Sequence, residues 1–203
     1  NLQGINRDEL DEVTGATLNG FGNVLGVAGT SGRFSAELEW KRTIIVPGGL
    51  AITPLFAVRG DALTIDTSDL IRSEAFRAIG TAGLDVRWPV LFSTTSATHV
   101  LEPVVQIFAR NNERYAGELP NEDAQSFVFD ASNLLERDKF SGWDRIEGGT
   151  RANFALRYSG TYSNGWSANA LFGQSYHLAG QNPFASPDLV AVGAYSGLET
   201  DTS

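Results

Sequence analysis

Apolar and polar residues alternate with a period of two through most of this chain. That pattern commits the backbone to strands, where successive side chains leave opposite faces. Over residues 34–41, Phe34, Ala36, Leu38 and Trp40 share one side, while Ser35, Glu37, Glu39 and Lys41 share the other. Ala82, Leu84, Val86 and Trp88 oppose Gly83, Asp85 and Arg87. Leu101, Val105, Ile107 and Ala109 oppose Glu102 and Gln106. Ala152, Phe154, Leu156 and Tyr158 oppose Arg151, Asn153, Ala155 and Arg157. The stretches near 50–59 and 166–176 follow the same rule less cleanly, with Leu55 and Leu171 out of phase. No amphipathic helix competes, although a short helical turn is predicted over 69–76.

The links between these strands alternate in length. Pro47-Gly48-Gly49 is tight, and residues 61–74 form a long polar segment. The link at 89–97 is short, and 111–145 is the longest. Ser163-Asn164-Gly165 is tight again, and 177–189 is of medium length. Tight turns on one side and long loops on the other characterise outer-membrane barrels. Strands near 11 residues suit a tilted crossing of the hydrocarbon layer. Trp40, Trp88, Tyr158, Trp166 and Tyr176 lie near strand ends, where interfacial aromatic girdles form. The expected fold is therefore all-β: about eight antiparallel transmembrane strands of a larger barrel. A soluble sandwich with one wet face shares the alternation.

Composition narrows the function. A formal net charge of −9 with no Lys/Arg cluster gives nucleic acid no basic surface to bind. The chain has no cysteine, which excludes a disulfide framework, a thiolate metal site and a cysteine nucleophile within it. It also has no methionine, and Asn1-Leu2-Gln3-Gly4-Ile5 has neither a basic nor an apolar leader segment. Residues 197–203 end in polar residues. The expectation is one domain over 1–203, an internal stretch of a longer chain cut at both ends. No nucleophile elbow, phosphate loop or dinucleotide fingerprint occurs, and neither an enzyme nor a cofactor is expected.

Several runs carry a more specific likeness. His99-Val100-Leu101-Glu102-Pro103 opens one strand. Leu119-Pro120-Asn121-Glu122-Asp123-Ala124-Gln125-Ser126 and then Phe129-Asp130-Ala131-Ser132-Asn133-Leu134-Leu135 follow in the long link. That link closes with Phe140-Ser141-Gly142-Trp143-Asp144-Arg145-Ile146-Glu147-Gly148-Gly149-Thr150-Arg151, and a later strand ends in Gly173-Gln174-Ser175-Tyr176. In this order and spacing the chain resembles the C-terminal barrel domain of the LptD (organic-solvent-tolerance) family, in wording like an alphaproteobacterial branch. Leu135 departs from the family's Asn-Leu-Phe run, and the family's periplasmic domain, cysteines and terminal barrel strands are absent from this stretch. The resemblance implies a protein of the Gram-negative outer membrane that receives lipopolysaccharide from a periplasmic Lpt bridge. Such a protein inserts it into the outer leaflet while an LptE-like lipoprotein plugs the barrel.

The motif residues His99, Glu102, Pro103, Pro120, Asn121, Glu122, Asp123, Gly142, Asp144 and Arg145 are the first candidates. Asp144 and Arg145 are expected to pair and anchor the long link. That link holds eight acidic and four basic residues over 111–145, four net negative charges. It reads either as a solvated loop or as one folded into the barrel mouth, with Glu122 and Asp123 sharing divalent cations with lipid phosphates. Glu37, Glu39, Lys41, Asp85, Arg87, Glu102, Arg151, Asn153 and Arg157 are candidate lumen lining. His99 and Glu102 should leave opposite faces of their strand, and no metal site is expected from them or from His177. A passive porin and a soluble glycan-binding sandwich remain the alternatives.

Overall fold

The computed structural model describes residues 1–8, 11–18, 21–26, 29–66, 73–115, 119, 121–124, 128–185 and 198, with side chains of 11–26 set aside. The described elements are all strands: β1 (Leu2–Arg7), β2 (Asp11–Leu18), β3 (Phe21–Gly26), β4 (Gly29–Lys41), β5 (Ile44–Ile45), β6 (Ala51–Asp66), β7 (Glu74–Arg87), β8 (Val90–Ser93), β9 (Ala97–Arg110), β10 (Thr150–Tyr162) and β11 (Ser167–Ala179). Nine of them form one antiparallel sheet in the order β1-β4-β6-β7-β9-β10-β11, with β5 extending along β6 and β8 along β9. β2 and β3 pair separately as a hairpin. The sheet is open, a stretch of wall rather than a closed cylinder.

Two prolines explain why β4–β5 and β7–β8 are each one rib broken in two. Pro103 accepts from Trp88 N at 3.1 Å but has no N–H to return, so pairing lapses there before β8 resumes against β9. Pro54 does the same to Arg42, whose N–H it accepts at 3.3 Å, and β5 resumes beyond. The turns at Val46–Leu50, Thr94–Ala97 and Tyr162–Trp166 all close at one end of the sheet. The 67–73, 111–149 and post-179 segments leave from the other. The tight turns gather at one end and the longest link, 111–149, lies at the other, as the sequence predicts.

The outer face is apolar and uncovered: Phe34, Leu38, Phe56, Val58, Phe76, Val105, Ile107, Phe154 and Phe172 are all exposed. At its short-turn end stand Trp40, Trp88 and Trp166, together with Phe92, His99 and Tyr158 in a stack. The ribs of 13–16 residues exceed the roughly 9–11 that a bilayer requires. Their excess length at the long-loop end carries the inner structure.

Two expectations need correction. β6 runs through Asp66, and β7 already includes Glu74–Phe76, so half of the polar link expected over 61–74 and the end of the helical turn expected over 69–76 are strand; residues 67–72 lie outside the described residues. The reason is local. Leu63, Ile65 and Ala75 point inward, against Leu119 and Tyr115 of the long loop, so apolar residues occupy the face that is polar elsewhere. The N-terminal strands β1–β3 had no counterpart in the alternation pattern.

Candidate functional site: the inner face and its long loop

Strand parity sends one polar row inward across four neighbouring ribs. Asp85, Gln106, Asn153 and Ser175 lie side by side in register on β7, β9, β10 and β11. They are hydrogen-bonded in sequence. Gln106 Nε2 donates to Asp85 Oδ2 (2.5 Å), Asn153 Nδ2 to Gln106 Oε1 (3.1 Å), and Ser175 Oγ to Asn153 Oδ1 (2.7 Å). Arg87 closes one end with two bonds to Asp85, and Arg151 Nη1 reaches Ser175 Oγ at 3.3 Å. Nearer the short turns, Glu102 meets Arg157 at 3.5 Å.

Towards the long-loop end, five arginines from five neighbouring strands are buried: Arg33, Arg59, Arg77, Arg110 and Arg151. A buried guanidinium must find acceptors or leave an uncompensated charge. The sheet supplies one carboxylate, Asp61, which accepts from Arg77 Nε at 2.6 Å and from Arg59 Nε at 3.1 Å. The β9–β10 loop supplies most of the rest. Glu113 accepts from Arg77 Nη1 (2.7 Å), as does the Asp144 carbonyl (2.6 Å). The Trp143 carbonyl accepts from Arg59 and Arg77, and the Trp143 ring lies 4.6 Å from the Arg59 guanidinium. Asp123 and Asp144 both take Arg33.

The motif residues form the loop's own clasp. Asp123 Oδ1 accepts Trp143 N (3.0 Å) and Asp144 N (2.8 Å), while Asp144 Oδ2 accepts Glu122 N (2.7 Å) and Asp123 N (3.0 Å). Two stretches 20 residues apart are thus pinned by reciprocal carboxylate–amide bonds. Gly142 makes this approach feasible: its φ is +81°, and a Cβ there would fall 2.5 Å from Asp123 Oδ1. Asn121 closes the turn before the clasp by bonding Ala124 N (2.9 Å) and Ala124 O (3.0 Å).

A second knot lies at the loop's return. Glu147 meets Arg151 Nε at 2.7 Å and accepts Lys139 N at 3.1 Å, with Arg110 at 3.9 Å. Burial pushes Glu147 up, but Lys139, Arg110 and Arg151 together hold it below the usual carboxylate value. Burial lowers Lys139, whose Nζ reaches Asn153 Oδ1 at 3.3 Å. Burial and the charge of Glu147 raise Asp138. Further down the wall the charges reverse: Arg137 of the loop meets Glu37 (2.5 Å) and Glu39 (3.1 Å) of β4.

The structure thus brings Asn121, Glu122, Asp123, Gly142 and Asp144 into one assembly. It places Glu37, Glu39, Arg151 and Asn153 beneath the loop, and Asp85 and Arg87 next to it through Gln106. Pro120 lies outside the described residues. His99, Glu102 and Pro103 belong to the short-turn half, away from the loop. His99 faces outward, bonded to Tyr158 Oη at 2.8 Å, and Glu102 faces inward. Asp144 and Arg145 do not form the expected pair. Asp144 goes to Arg33, while Arg145 lies 4.9 Å from the Phe140 ring and donates to Pro183 O at 3.3 Å. Adjacent residues of an extended loop point apart, so one binds the sheet and the other the loop core. The solvated-loop reading also fails, since Leu119, Asn121, Ala124, Leu134, Lys139, Phe140, Ile146 and Glu147 are buried. Glu122 is ion-paired to Arg7 (2.5 Å) and Asp123 to Arg33, so both carboxylates of the cation-sharing reading already have cationic partners in the chain. Among the described residues no group of three or more His, Cys, Asp or Glu is arranged to hold a metal.

Arg33, Arg59, Asp61, Arg77, Gln106, Arg110 and Glu147 were not among the sequence candidates. The signal was available in part, because Arg77 shares parity with Asp85 and Arg87, and Arg59 with Asp61.

An open antiparallel wall with an apolar outside, a charged inside and a loop folded onto that inside defines a segment of an outer-membrane-type barrel. The family model of LptD, LPS transport system D, matches residues 6–203, and the chain belongs to that family. A search of curated proteins returned no match. Membership assigns the chain a role in lipopolysaccharide transport to the outer membrane.

Proposed function

We propose that residues 1–203 form part of one barrel domain that resides in the Gram-negative outer membrane. There it delivers lipopolysaccharide from a periplasmic Lpt bridge to the outer leaflet, with an LptE-like lipoprotein as plug. The observation that carries this reading is the pairing of a lipid-compatible outer face with a charged inner face covered by the chain's own loop. A passive porin needs an open aqueous lumen. Here described residues of the β9–β10 loop, among them Glu113, Arg137, Lys139 and Glu147, lie on the inner face over β4–β10. The inner residues Glu37, Glu39, Asp85, Arg87, Glu102, Arg151, Asn153 and Arg157 serve as polar lining on the path of the sugar portion. Asn121, Glu122, Asp123, Gly142 and Asp144 hold the loop on that path. The work is conformational, and no bond of the lipid is made or broken.

The test is depletion of the full parent gene, followed by assay of newly made lipopolysaccharide at the cell surface. Arrested arrival with internal accumulation is expected. Normal arrival with reduced small-solute permeability would establish a porin instead.

A further inference from the structure

We propose that the inner-face arginines Arg33, Arg59, Arg77, Arg110 and Arg151 form a binding track for a phosphorylated saccharide, and that the β9–β10 loop lies on this track as an internal stand-in for that ligand. The proposal rests on the transport reading and names the chemistry that the inner face recognises.

The argument begins with an imbalance in the sheet. Five neighbouring strands each contribute one buried arginine, and among the described residues of those strands Asp61 is the one carboxylate that pairs with them. A wall that needed only a wet lining would be served by neutral polar side chains, as the Gln106–Asn153–Ser175 row shows. The four net positive charges left in this arginine row are met by four loop carboxylates: Glu113, Asp123, Asp144 and Glu147. Loop carbonyls at Trp143, Asp144 and Arg137 fill further donor positions. The loop therefore presents the arginines with a spaced run of anionic and carbonyl oxygens.

Phosphate oxygens have that same charge and acceptor geometry, and guanidinium recognises phosphate and carboxylate by the same planar fork. The hydrogen-bonded Gln106, Asn153 and Ser175, beside the arginine row, carry the amide and hydroxyl groups that read sugar hydroxyls. The loop's described apolar hold on the wall is divided among separate points: Leu119 and Tyr115 against Leu63, Ile65 and Ala75, Leu134 against Gly173 of β11, and Ile146 beside Ala57 and Ile79. Phe140, by contrast, packs on Phe184 rather than on a strand. Alongside these contacts the grip is ionic, so the loop's departure would strand buried arginines. An incoming polyanion removes that obstacle by taking over the arginines as the carboxylates leave. A neutral glycan cannot.

The experiment uses the full-length protein with its native partner, purified in detergent, and follows protease cleavage within residues 113–147. Tripolyphosphate should raise loop cleavage at least fivefold. Maltotriose, and sodium chloride at equal ionic strength, should not. The Arg77→Gln/Arg110→Gln variant should lose the response. Should that variant fail to fold, the loop-side variant Glu113→Gln/Asp144→Asn serves, and it should bind tripolyphosphate at least tenfold more tightly than the parent by calorimetry. No cleavage response in the parent, an equal response to salt, or no tightening in the loop-side variant overturns the track. Arrested lipopolysaccharide arrival on depletion, together with no loop response, overturns the track alone. Normal arrival overturns the transport reading and the saccharide with it.

Discussion

Asp138 shows how the loop holds itself together against an unfavourable charge. Its carboxylate accepts Phe140 N at 3.0 Å, yet it lies beside Glu147, with Arg110 and Lys139 as the nearby cations. Burial and that neighbouring carboxylate raise its pKa above the ordinary 3.8. Below pH 3.8 the group is protonated whether the loop is docked or free, and it costs nothing. As the pH rises, the free loop ionises first, so the docked state loses stability until the pH passes the raised value, and the penalty is constant thereafter. Asp138→Asn keeps the acceptor for Phe140 N, gives up the longer bond from Glu147 N (3.4 Å), and removes the penalty. The variant should therefore gain about 1 kcal/mol of loop stability at neutral pH, and the gain should vanish below pH 3.8. The temperature at which residues 113–147 become protease-sensitive, measured across pH, reports it. A loss at neutral pH would mean that the Asp138 charge supports the knot.

At the scale of the rib, the outer and inner faces obey different rules, and one substitution separates them. Val58 points outward from the middle of β6, is 63 % exposed, and stands opposite Leu38, which is 79 % exposed. In lipid, Val58→Arg should cost about 2–4 kcal/mol near the midplane. The full-length protein should then show a reduced heat-modifiable fraction in membranes, with Val58→Phe unaffected. Normal assembly of the arginine variant would mean that this face does not meet lipid. This division of faces was legible in the sequence wherever one face met lipid and the other met polar groups: β4, the later half of β7, β9 and β10 all follow the alternation. It was not legible where the inner face meets the loop. Leu63 and Ile65 are inward and apolar because Leu119 covers them, so the code broke and the strand read as a link. The breaks opposite Pro54 and Pro103 were equally hidden, since each arises from a missing N–H on a partner strand distant in sequence. For the candidate site, the motif residues Asn121, Glu122, Asp123, Gly142 and Asp144 were found, but their partners were not. The loop's acidity fits both solvation and folding into the barrel mouth on sequence alone, because the five arginines it answers are spread one per strand.

At the scale of the molecule, the loop sits where its charges and those of the wall agree in two places at once. Its acidic residues meet the arginine row, and Arg137 meets Glu37 and Glu39 lower on β4. Sliding the loop along the wall would break both agreements, so the docking register is electrostatic as well as apolar. The described wall pairs every rib but leaves β1 and β11 each with one partner, at opposite ends of the strand order. In water such an edge is solvated. In hydrocarbon each unpaired N–H or C=O costs several kcal/mol, and the 13 residues of β11 present a long run of them. The loop cannot relieve this, because its described ion pairs, including that of Glu122 with Arg7 of β1, engage inward side chains rather than the backbone groups of the free edges. Residues 1–203 expressed alone and refolded into detergent or lipid should therefore give no heat-modifiable monomer. The edges should instead pair between copies, and light scattering should show oligomers or aggregates. A stable monomer in a bilayer, with β11 amides protected from hydrogen exchange, would mean that the two edges close on each other and that the chain makes a small barrel of its own.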